Sequence, residues 1–105
     1  MQTGNAAERS DRTNSSYLQM PSISKFLGIT IYMYWREHNP PHFHAEYGDH
    51  LVLIDIVKLE VYEGEFPRRA LGHVLEWATE HQQELLDNWE LCRRREHPNP
   101  ILPLE

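Results

Sequence analysis

The segment "REHNPPHFHAEYG", residues 36–48, gathers three histidines, an arginine and carboxylates around a proline pair. His42 and His44 stand two apart, so on a strand their imidazoles point the same way. Such a pair can hold a metal ion, with His38 or Glu46 as a third ligand and one position left open, which is how catalytic zinc is held. The same residues suit metal-free proton transfer. Histidine titrates at about pH 6.5, Glu46 can act as a base, and Arg36 can stabilise a phosphate in the transition state. RNA cleavage needs those parts: a base for the 2′-hydroxyl, an acid for the leaving oxygen and a cation for the phosphorane. Tyr32 and Tyr34, on the same face, could stack bases. A third use is recognition without chemistry, of a protein or a nucleic acid. The plain structural reading is a solvated hairpin face whose histidines cap turns and pair with Glu46 or Glu37.

Those side chains meet only if the chain folds back at the prolines. Ile29, Ile31, Met33 and Trp35 alternate with Thr30, Tyr32, Tyr34, Arg36 and His38, the period of a half-buried strand. "HNPP" ends it, because proline removes backbone donors. Phe43, Ala45 and Tyr47 then alternate with His42, His44 and Glu46, and Gly48-Asp49 marks a turn. "LVLIDIV" is a continuous branched apolar run that suits a central strand covered on both faces. "LEVYEG" reads as a fourth strand returning across a turn near Lys58.

Pro67 opens a helical segment at the position where its missing N–H is harmless. Leu71, Val74, Leu75, Ala78, Leu85, Trp89 and Cys92 follow a spacing near 3.6 over residues 67–95. That is long for one helix, and a break near "TEHQQ" divides it into two. The tail "HPNPILPLE" holds three prolines and is extended, laid against the core by Ile101 and Leu102. The fold expected is α+β: an antiparallel sheet of about four strands, followed by one long or two shorter helices packed on one face.

The chain of 105 residues has room for one core. Residues 1–19 are polar and are expected to be a disordered extension, with residues 20–105 as the single domain and Met20 an alternative start. Neither a secretory signal nor an apolar run long enough to cross a bilayer is present, which points to the cytoplasm. Cys92, the single cysteine, excludes an intramolecular disulfide and a thiolate zinc cluster, and reads as a small buried hydrophobe. The net charge of -6 disfavours nonspecific nucleic-acid binding. Arg68 and Arg69 at the helix start form a local exception that could hold a phosphate. Glycine-rich phosphate loops, the G-x-S-x-G elbow and H-E-x-x-H are absent, so nucleotide hydrolysis, serine esterase and zincin chemistry have no support.

The segments "MPSISKFLGITIYMYWREHNPPHFHAEYG", "IDI", "GEFPRRAL" and "EWATEHQQELLDNWELC" resemble a family of small bacterial proteins, the domain of unknown function 4160 (DUF 4160), from about Met20 to Glu105. His38, Pro40, Pro41, His42, His44, Glu46, Arg68 and Arg69 fall on its recurring motif positions. The resemblance implies membership of toxin–antitoxin-type gene pairs or a transcriptional regulator, and carries no established catalytic role. The function expected is therefore a toxin-like member of such a pair, with metal-independent RNA cleavage by Arg36, His38, His42, His44 and Glu46, no cofactor, and Tyr32, Tyr34, Arg68 and Arg69 on the substrate. A protein partner encoded by a neighbouring gene is expected too. The alternative is a non-catalytic binding module that holds a partner protein or regulates transcription.

Overall fold

The computed structural model describes residues 22–35 and 37–105. The expectations for residues 1–19, for Met20 and for Arg36 lie outside the described residues. Five strands come first: β1 (Ser24–Phe26), β2 (Ile29–Tyr32), β3 (His42–Tyr47), β4 (His50–Asp55) and β5 (Glu60–Glu65). Two helices follow, α1 (Arg68–Glu80) and α2 (Gln82–Arg93). The sheet is antiparallel in simple chain order, β1-β2-β3-β4-β5. The fold class is α+β, with one strand more than expected. The extra strand, β1, has only three residues, too few for an alternation to register, and turns into β2 through Leu27 and Gly28, both at positive φ.

Strand register sorts the side chains onto two faces. Ile29, Ile31, Phe43, Ala45, Val52 and Ile54 are fully buried on one of them. α1 lies against this face: its Trp77 ring stands 5.3 Å from Phe26 and 5.8 Å from Phe43. Ala70, Val74, Trp77 and Ala78 of α1, with Leu85, Trp89 and Cys92 of α2, complete the core. Burial raises the Cys92 thiol to about 11, in keeping with a small apolar filler.

β4 departs from the expectation of cover on both faces. Val52 and Ile54 are buried on the core face, whereas Leu51, on the other face, is 47% exposed. After β4, Asp55 is buried at low cost: its Oδ1 accepts from the amides of Val57 and Lys58, each at 2.9 Å, and fixes the turn into β5. The helical segment breaks at His81, within the predicted stretch, where its amide donates to the carbonyls of both Trp77 and Ala78. α1 starts directly after Pro67.

The proline-rich tail is a strap. Ile101 is buried and its amide donates to the Ile23 carbonyl at 2.8 Å. Leu102 corrects the expectation that its side chain packs inward: it is 71% exposed, and its carbonyl accepts from the Trp77 indole at 2.8 Å. Asn88, buried on α2, grips Asn99 twice, through Nδ2–H to the carbonyl at 2.9 Å and from the amide to Oδ1 at 2.8 Å. Among the described residues no helix is long and apolar enough to cross a membrane.

Candidate functional site

β3 pairs with β2 and β4 so that Tyr32, His44 and Leu53 lie side by side on the face opposite α1. His42 and His44 share that face, as their spacing requires, and both are buried. Aromatic rings account for the burial. His42 lies between Tyr62, stacked at 5.8 Å, and Trp89 at 5.2 Å, while Tyr34 meets the His44 ring edge-on at 4.6 Å.

The carboxylate that meets these imidazoles is Glu37, on the loop between β2 and β3. Its Oε1 lies 2.6 Å from His44 Nε2 and 3.2 Å from His42 Nε2. Sequence reasoning had placed Glu37 only in the plain structural reading, as a partner for turn-capping histidines. Its position across the proline loop, five residues before His42 and outside the strand alternation, gave no sign that it would converge on both rings.

The His42 tautomer is decided by its second contact. Nδ1 lies 2.8 Å from the Pro40 carbonyl, which only accepts, so Nδ1 carries the hydrogen. In the neutral ring Nε2 then presents a lone pair to a carboxylate oxygen. Two acceptors facing each other at 3.2 Å need a proton or a metal ion between them, and the proton can sit on either partner. Backbone carbonyls that orient a histidine through its far nitrogen are the usual second support of metal-bound imidazoles.

The other expected site residues are dispersed. Glu46 is taken by Tyr32, whose hydroxyl donates to Oε1 at 2.5 Å. Burial, then this hydrogen bond, pushes the Tyr32 hydroxyl far above its usual range. His38 is exposed and lines a cleft of about 380 Å³ with Glu37, Asn39 and Arg93. Arg93, which the sequence did not single out as a site residue, thus lines the cleft beside Glu37, and its guanidinium also sits 3.6 Å from Glu90. Arg68 and Arg69 form no ion pair with the acids among the described residues. Arg69 lines a separate cavity of about 280 Å³ with Leu27, Ile29, Tyr47, Pro67, Ala70 and His73, which shares no residue with the Glu37 cleft.

Residues 28–90 match the family model for the domain of unknown function DUF4160. The chain belongs to the DUF4160 family. Neither a curated protein nor a solved structure matches it. The DUF4160 segment includes Glu37, His42, His44 and the aromatic rings around them, and stops short of Arg93.

Proposed function

We propose that this DUF4160 protein binds a divalent transition-metal ion of the zinc type through Glu37, His42 and His44, and uses it to hydrolyse a phosphodiester, with RNA as the substrate class. The observation that carries the reading is the His42 lone pair aimed at Glu37 with the opposite ring nitrogen tied to Pro40. The three donor atoms lie within 4.8 Å of one another. In a tetrahedral site with bonds of about 2.0–2.1 Å, neighbouring ligand atoms are separated by about 3.3 Å, so side-chain shifts of about 1 Å would seat the ion. Glu37, partly exposed on a loop, is the ligand best able to move.

Two histidines and a glutamate leave a fourth position, and the cleft of His38, Asn39 and Arg93 opens beside Glu37. A bound ion there would supply a hydroxide and charge neutralisation at the phosphate. Arg93 would hold a phosphate oxygen, and His38, exposed at the rim, would hand a proton to the leaving oxygen. Such a protein would act in the bacterial cytoplasm as the toxin-like half of a gene pair, held by the product of the neighbouring gene. The family resemblance is the support for that setting.

The short His44–Glu37 contact favours a second reading, metal-free acid–base cleavage of RNA, in which Glu37 replaces Glu46 as the base. One experiment separates the two. Protein purified without a histidine tag is assayed for bound zinc by elemental analysis, and then for RNA cleavage with and without a chelator. Stoichiometric zinc and chelator-sensitive cleavage are expected. Cleavage that persists without metal selects the acid–base reading, and intact RNA under both conditions removes both.

A further inference from the structure

The sheet face that carries His42 and His44 continues past them toward the β3–β4 turn and β5, where its chemistry changes. Cross-strand register puts Lys25, Thr30, Glu46, Leu51 and Glu65 in one row across all five strands. Leu53 stands in the next row, opposite Glu63. Neighbours in such a row are about 5 Å apart, so Leu51 has a carboxylate on each side and Leu53 has one at its flank. Leu51 is 47% exposed, and Tyr62, beside the register shift at Leu53/Ile54, is 50% exposed. α1 occupies the opposite face, where Trp77 covers Phe26 and Phe43, and Trp89 of α2 meets this one at His42. An apolar centre framed by acids is thus left open on β3, β4 and β5.

We infer that this face docks a partner protein through an apolar stripe flanked by lysines or arginines. Leu51 and Leu53 supply the dry centre, and Glu46, Glu63 and Glu65 supply the rim that selects basic flanks. Charge also decides against the other occupants. A second copy would bring the same carboxylates face to face, and its whole chain carries a net charge of -6. RNA would meet the same repulsion at this end of the face, since Lys25 at the β1 end is the only lysine or arginine among the described residues of these rows. None of the docking residues is a proposed metal ligand, although Leu53 pairs with His44 across β3 and β4, so the patch adjoins the metal cluster without including it.

The test titrates the ¹⁵N-labelled full chain with a synthetic peptide of alternating lysine and leucine. Chemical-shift changes are expected at Glu46, Leu51, Leu53, Glu63 and Glu65. Binding should weaken at least tenfold in the Glu63→Lys/Glu65→Lys variant, and also in Leu51→Lys, should that double variant fail to fold. It should also weaken as salt is added. A glutamate–leucine peptide of the same length and an RNA oligonucleotide should leave these resonances unmoved. Equal binding by a lysine–serine peptide would reduce the face to bare charge attraction and overturn the inference. Shifts confined to the Glu37 cleft would overturn it too, as would a concentration-dependent dimer abolished by Leu51→Lys.

Discussion

Glu37 Oε1 lies within reach of two imidazoles at once, 2.6 Å from His44 Nε2 and 3.2 Å from His42 Nε2, although five and seven residues separate it from them along the chain. The proline loop makes that meeting, and it identifies the ligands that variants should separate. Glu37→Gln, His42→Ala and His44→Ala are each expected to weaken zinc or cobalt binding at least tenfold. His38→Ala and Glu46→Gln should leave it unchanged. Calorimetric titration, with the visible bands of the cobalt form as a second readout, checks the set.

Two glycines should respond in opposite directions to the same methyl group. At Gly64, with φ +95°, an added Cβ would fall 2.4 Å from the Leu51 carbonyl oxygen. Gly64→Ala should therefore cost about 2–4 kcal/mol. Gly72, exposed on α1 with nothing within 4 Å of the same position, should gain about 0.5–1 kcal/mol on becoming alanine. Urea unfolding of the two variants decides both signs.

Asn88 is the latch of the C-terminal strap. Asn88→Ala removes both of its hydrogen bonds to Asn99 and empties a buried site, for a loss of roughly 1–3 kcal/mol. Faster hydrogen exchange at the Asn99 and Ile101 amides should accompany the loss.

Cys92 gives the fold an alkaline limit. The thiol ionises at about 9.0 in the unfolded chain and is held to about 11 in the fold, so unfolding releases its proton between those values. Stability should be unaffected by this group below pH 9 and should fall as pH rises through the window. Cys92→Ala should flatten that slope in denaturation curves taken from pH 8 to 11.

Alternation made much of this architecture legible. Ile29 to Met33 and His42 to Ala45 announced their strands, and Pro67 and the His81 region announced the helix start and break. What alternation cannot report is which face a later element will cover. Leu51 therefore reads as core in the sequence, although it lies on the face opposite Val52 and Ile54 and is exposed. The site divided along the same line. His42 and His44 were fixed by strand geometry, which is local. Glu37 was legible only as one of two possible partners of the histidines, and Arg93 not as part of the site, because a loop and the end of a helix bring them in through tertiary packing that no periodicity records. Glu46 was legible as a neighbour of the histidines, but its hydrogen bond to Tyr32 takes it out of the cluster.

The strap has a consequence for where this folding unit can be cut. Ile23, Phe26, Cys92 and Ile101 all belong to the buried interior yet lie outside the family-matched stretch 28–90. A fragment trimmed to that stretch would lose both sides of the seam between Ile23 and Ile101 and leave the Trp77 indole without its acceptor. The boundary drawn by likeness to the family is narrower than the stretch that builds the core, and the excised piece should behave as a collapsed, loosely ordered chain.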